Sequence, residues 1–166
     1  MEVLGLLDSL GIRYDKFEHK PVYTCEEASA LNLDIQGIET KNLFLRDRKG
    51  KRHFLVAVPE NKSVDLKGLS TVLETSALSF GSPERLKTHL GLEPGSVSVL
   101  AVVNDPDSNV ELVVDEAVWQ AERLQCHPLV NTATLSLSLD DFREFLDAQN
   151  RKATIVNVPE KAATTA

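Results

Sequence analysis

The sequence predicts a single α+β domain with a mixed or antiparallel sheet that can curl. Three observations lead there. A chain of 166 residues, 42% hydrophobic and 26% charged, suits one globular domain. Helical and strand-like stretches follow one another without a steady β-α-β alternation. No internal repeat or low-complexity linker divides the chain. At this size roughly 70% of the unfolded chain's surface can be buried, so a core can form without disulfides or structural metal.

The elements follow in order. Val3, Leu6, Leu7 and Leu10 keep helical spacing and Gly11 stands where a helix often ends, which predicts a helix over residues 1–10. Ile12, Tyr14 and Phe17 suggest a short strand that Pro21 interrupts. Thr24-Cys-Glu-Glu27 has the capping-box pattern that starts a helix over Glu26–Leu31, and the polar stretch Asn32–Thr40 loops back. The strongest local pattern comes next: Leu43–Asp47 and Arg52–Val58 flank Arg48-Lys-Gly-Lys51 as a β-hairpin, with Gly50 available for positive φ.

Asp65–Leu73 reads as a helix and Ala77–Phe80 as a short strand. Ser82-Pro-Glu-Arg85 supplies a cap, a Pro in the first turn and an acid, so a helix runs to Leu90 before Gly91. After the Pro94-Gly95 break, Ser96–Val103 is apolar on both faces beyond Val97 and predicts a central strand. Asn104–Asn109 turns it into Val110–Val114 as a second hairpin. Asp115–Ala121 is a short helix, Arg123–Gln125 a brief strand, and Thr132–Leu137 an alternating strand. Ser138 caps a last helix to Gln149 that buries Phe142, Phe145 and Leu146. Ile155–Val158 is read as an edge strand, and the tail 159–166 as disordered.

Charge and cysteines narrow the function classes. Cys25 and Cys126 are too few for a disulfide framework and lack paired metal spacing, so both are read as thiols in a reducing compartment. No apolar run approaches the ~18–20 residues that span a bilayer, and the N-terminus lacks a basic stretch followed by an apolar one. A cytoplasmic protein without membrane contact is expected. The net charge of −7 argues against non-specific binding to polyanions such as DNA. Between Lys41 and Gly68, however, eight basic residues meet three acidic ones, leaving that stretch at +5. A surface hairpin with a basic tip and a phosphate-binding face both account for this clustering.

The usual catalytic signatures are absent: no Gly-x-Ser-x-Gly, no phosphate loop ending in Lys-Ser/Thr, no His-Glu-x-x-His and no Cys-x-x-Cys. His19, His53, His89 and His127 are scattered, so no metal site is expected. Cys126-His127 would make a poor nucleophile pair, because neighbouring side chains on an extended segment point to opposite faces. Lys41 is either part of a basic rim or a mobile cation reaching into a cleft to hold phosphate or polarise a carbonyl. Gly95 serves either a tight turn or close backbone approach to a ligand.

Taken together, Lys41-Asn-Leu-Phe-Leu-Arg-Asp47, Gly95-Ser-Val-Ser98 and His127-Pro-Leu-Val-Asn-Thr-Ala-Thr134 resemble the YbaK/ProX family, over residues 1–158. Within it the likeness is to free-standing relatives of the editing insertion domain of bacterial prolyl-tRNA synthetase. The resemblance implies a mixed, β-barrel-like sheet flanked by helices and metal-independent hydrolysis, in trans, of alanine mischarged onto proline tRNA. It implies no cofactor; prolyl-tRNA synthetase and elongation factor are the two accompanying partners to weigh, and no residue here chooses between them. A second site is needed because missing methylenes are worth only ~1–3 kcal/mol of discrimination in a synthetase pocket.

By the same resemblance, Lys41 holds the terminal phosphate-ribose end and Asn42 orients it. The loop Gly95, Ser96, Val97, Ser98 and Val99 places water or the carbonyl through backbone groups. His127 shapes the pocket, with Pro128, Asn131 and Thr132 beside it. Arg46, Arg48, Lys49, Lys51 and Arg52 provide the docking face for tRNA. The loop departs from the family pattern at Val99, where Pro is expected, and at Ala101, where Gly is common. Mischarged cysteinyl, seryl or 2-aminobutyryl proline tRNA, and a non-catalytic tRNA-binding role, are the alternatives this leaves.

Overall fold

The computed structural model describes residues 3–19 and 35–161. The expected helix Glu26–Leu31, its capping box, Pro21 and Cys25 lie outside the described residues, as does 162–166. The first helix, α1 (Val3–Ser9), buries Val3 and Leu7, and Gly11 follows it at φ +71°. Strand β1 (Asp15–Glu18) pairs antiparallel with β7 (Ala133–Ser138), which pairs antiparallel with β6 (Arg123–Cys126). These three form the first sheet.

The hairpin forms as expected. Strands β2 (Thr40–Arg46) and β3 (His53–Pro59) pair antiparallel in full register, Lys41 opposite Val58 and Arg46 opposite His53. Gly50 takes φ +68° in the turn. Asp47 fixes that turn: its Oδ1 accepts the N–H groups of Lys51 and Arg52 at 2.8 and 3.1 Å, and these bonds, Arg52's foremost, hold its carboxyl below the usual range.

β3 is the centre of the second sheet, in the order β4-β2-β3-β5-β8, with β4 at Ser79–Phe80, β5 at Val110–Asp115 and β8 at Thr154–Val156. The β3–β5 and β5–β8 ladders are parallel. One face of this sheet packs under α2 (Leu66–Val72), with Phe54, Val56, Val58, Leu69 and Val158. The other face joins the larger core with the first sheet and the remaining helices. Those helices are α3 (Pro83–Leu90), capped by Ser82 and ended by Gly91 at φ +67°, α4 (Glu116–Trp119) and α5 (Leu139–Ala148), capped by Ser138. In α5, Phe142, Phe145 and Leu146 are buried as expected.

The expected strand Ser96–Val103 does not form. Val99–Asn104 is a 3-10 helix capped by the Ser98 side chain, with Val99 through Val103 all buried. An apolar run without polar alternation fits a buried strand or a buried helix equally well, so its pattern could not decide. The second hairpin fails with it: Val110–Val114 runs parallel to β3 instead. The turn before β5 closes round Asp105, which accepts the N–H groups of Asn109 and Val110 and pairs with the buried Arg151 at 3.1 Å.

The sheets also do not close into a barrel. Two open sheets meet at one seam, where Ile38 bridges to Leu124 and Thr40 Oγ1 donates to the Gln125 carbonyl at 2.7 Å. Gly37 stands at this seam with φ +114°, and a Cβ there would sit 3.1 Å from the backbone of Arg123 and Leu124. Only a glycine allows that approach. Residues Pro159–Lys161, assigned above to the tail, are held by Asp65 and Ser63 through two 2.8 Å backbone bonds. No helix among the described residues is long and apolar enough to cross a membrane.

Candidate functional site at the seam between the sheets

The seam brings together what the sequence scatters. Ile38–Thr40 runs alongside β6, so the start of β2, with Lys41 and Asn42, lies beside the end of β6, with Cys126 and His127. Ser98 joins them from the loop after Gly95: it is fully buried, and its side chain lies close enough to the Cys126 thiol to oppose the rise in its pKa. Gly95 takes φ +93°, and Ser96 N–H closes the turn onto Glu93 O at 3.1 Å.

Lys41 and Asn42 do not share a face. Cross-strand partners do: Lys41 with Val58 faces α2, while Asn42 with Ala57 faces the larger core. Lys41 is half-buried and its ammonium has no hydrogen bond or ion pair among the described residues. Asn42 Oδ1 is fully buried and has no hydrogen-bond partner. A buried amide oxygen left unpaired costs about 1–3 kcal/mol, and a donor brought in by a ligand would offset that cost.

Burial decides the neighbouring groups. It pushes the Cys126 thiol up to about 12, with the Ser98 contact opposing weakly, so the sulfur stays protonated and is no nucleophile. Burial likewise holds His127 below the ordinary imidazole value, helped by His19, while its bond to Ala133 opposes. His127 Nδ1 donates to the Ala133 carbonyl at 3.0 Å, which fixes the neutral tautomer with its lone pair on Nε2.

Val99 and Ala101, the two departures from the family loop, are 2% and 0% exposed and pack in the core. Pro128 and Thr132 line a different space, a cavity of about 620 Å³ between α1, β1 and the loop after β6. His19 faces it too, and its N–H bonds Thr132 O at 2.9 Å. Leu129 in that loop adopts φ +67°, a strained conformation for a branched side chain. Asn131 is half-buried and lines neither place.

The basic residues divide as well. Arg52 grips Glu111 with two 2.9 Å bonds and stacks over Phe54, so it is committed to the fold. Arg46 bonds the carbonyls of Asp47 and Arg48, whereas Arg48, Lys49 and Lys51 are exposed at the tip. Arg85 and Thr40 are two residues of the site that their local sequence presents only as part of a helix start and as the end of a loop. No signal in the sequence marks either, because both act through residues 32 to 85 positions away. Among the described residues no group of three or more His, Cys, Asp or Glu side chains is placed to hold a metal ion.

Comparison with known proteins gives a consistent picture. The model of the aminoacyl-tRNA editing domain family matches residues 19–145. The prolyl-tRNA editing protein ProX of Acetoanaerobium sticklandii is 39% identical over 146 residues, covering 88% of this chain and 89% of that protein. Prolyl-tRNA synthetase associated domain-containing protein 1 of Mus musculus is 32% identical over 155 residues, 91% of each. The crystal structure of the hypothetical protein APE2540 superposes with a TM-score of 0.72 at 21% identity, over 94% of this chain and 99% of that one, a likeness of fold.

Proposed function

The chain belongs to the aminoacyl-tRNA editing family, and from that premise we propose that it hydrolyses alanine mischarged onto proline tRNA. The observation that carries this reading is the pair at the start of β2: a half-buried ammonium and a buried amide oxygen, both without partners among the described residues. Lys41 holds the phosphate-ribose end of the tRNA over the open edge of β2. Asn42, on the other face, orients the aminoacyl group through its unpaired Oδ1.

The loop Gly95–Val99 supplies backbone N–H groups to the carbonyl oxygen as charge develops on it. Val99 opens the 3-10 helix, so its N–H has no intrahelical acceptor. Preorganised donors of this kind contribute several kcal/mol to a transition state. Water adds to the ester carbon, the bond to the ribose oxygen breaks, and the proton passes to that oxygen with the vicinal ribose hydroxyl as relay. His127, neutral with a free Nε2 lone pair, shapes the pocket and orients the water. No side-chain nucleophile is used, in keeping with the protonated state of Cys126.

The side chains of Val99 and Ala101 are buried in the core, so neither departure from the family loop narrows the acyl site by its side chain, which supports alanine. The rates of hydrolysis of alanyl, cysteinyl, seryl and prolyl esters of proline tRNA, with Lys41→Ala alongside, test the reading. Rapid loss of the alanyl ester alone is expected. Faster loss of the cysteinyl or seryl ester would move the specificity, and no loss of any ester would leave a tRNA-binding protein.

A further inference from the structure

At the far end of the hairpin, about 17 Å along β2 from Lys41 at the usual strand rise, two guanidinium groups converge. The Cβ that Gly50 lacks would lie 2.8 Å from Arg85 Nη2 and 3.0 Å from Arg46 Nη2, so both cations bracket one glycine. Neutral acceptors hold them there. Arg46 donates from Nε to Asp47 O and from Nη2 to Arg48 O. Arg85 donates from Nη1 to Gly50 O at 3.3 Å and to His53 Nε2 at 3.0 Å.

Because a guanidinium only donates, this nitrogen of His53 is the acceptor and its ring is neutral. The ring is fixed between Phe44 and His89, with centroids 5.7 and 4.1 Å away. Asp47, the acid inside the tip, spends Oδ1 on the N–H groups of Lys51 and Arg52. Neither Arg46 nor Arg85 forms an ion pair among the described residues. Two half-buried forks thus remain with unused donors and no carboxylate bonded directly to either, the arrangement that a bidentate anion completes.

We propose that Arg46 and Arg85 form a clamp round Gly50 for one backbone phosphate of the tRNA acceptor stem. The inference rests on the reading that the ester lies beside Lys41. At 3.4 Å per stacked nucleotide, 17 Å corresponds to about five nucleotides from the ester, where the unpaired 3′ end joins the paired stem. The flanking Arg48, Lys49 and Lys51 add non-specific attraction, and the clamp sets register.

The test measures binding of an uncharged proline-tRNA acceptor-stem minihelix. Arg85→Gln is expected to lower affinity about tenfold and to reduce the salt slope by about one. Replacing one phosphate at a time by a neutral methylphosphonate should weaken binding to the native protein at one position near the fifth nucleotide, and leave Arg85→Gln indifferent at that position. Equal sensitivity of the native protein and the variant would overturn the clamp, as would a native protein indifferent to every position in that region. That last measurement does not require the variant to fold. Ester hydrolysis is followed separately: hydrolysis without phosphate coupling sinks the clamp alone, and coupling without hydrolysis of any ester sinks the deacylase reading alone.

Discussion

Thr40 Oγ1 donates a 2.7 Å hydrogen bond to the carbonyl of Gln125, 85 residues away, and this contact sets the start of β2 against the end of β6. Beside it stand Lys41, Asn42, Cys126 and His127, so the seam that joins the sheets also brings the proposed site together. Thr40→Val keeps the shape and removes the donor. It should cost about 1 kcal/mol in urea unfolding and slow ester hydrolysis, because both halves of the site hang on that bond. A hydrolysis rate unaffected by a measured loss of stability would separate the seam from the site.

Among the described residues Lys41 has no partner to lose. Lys41→Ala should therefore leave stability within about 0.5 kcal/mol and still reduce deacylation by about 100-fold, if the ammonium holds the tRNA end. Parallel melting and single-turnover measurements check the two halves of this expectation.

Asn42→Ala is expected to act in opposite directions on stability and activity. Removing a buried oxygen that has no partner should raise stability by roughly 1 kcal/mol, while hydrolysis should fall if that group orients the ester. A variant that loses both would assign Asn42 to the core.

Cys126→Ala should hydrolyse at close to the native rate, since a thiol pushed to about 12 is protonated at neutral pH. The small cavity should cost about 1 kcal/mol. A rate loss beyond 100-fold would restore the cysteine as a participant.

Burial lowers the folded-state values of His127 and His53 beneath the ordinary 6.5, with His19 adding to the first and His89 and Arg85 to the second. Below pH 6.5 the unfolded chain takes up protons that the folded one refuses. Their contribution to stability is therefore present above about pH 6.5 and is lost as pH falls from there through the folded values. Urea midpoints between pH 5 and 8 should show this decline, and His127→Gln should flatten part of it. An unchanged slope in the variant would mean that His127 titrates normally.

Much of the fold is legible locally. Ser82-Pro-Glu-Arg85 and Gly91 mark the two ends of α3, and Ser138 marks the start of α5, because caps satisfy orphan backbone groups within a few residues of themselves. The hairpin is legible for the same reason, with Gly50 and Asp47 closing a turn between two apolar runs. The Val-rich run after Ser98 is different. Its burial is written in the composition, but its shape depends on which segment takes the place beside β3, and β5 takes it.

The sequence by itself determined the class, the capped helices, the hairpin and, through three separated motifs, the family. Short-range hydrogen bonding and side-chain chemistry are carried by neighbours in the chain, so a linear reading reaches them. Only the tertiary structure decided that Lys41 and Asn42 stand on opposite faces of β2, that Arg52 is spent on Glu111, and that Arg85 meets Arg46 at Gly50. Those relations come from strand register and from contacts across 32 to 85 residues, where the partner is chosen by packing of the whole chain rather than by any local pattern.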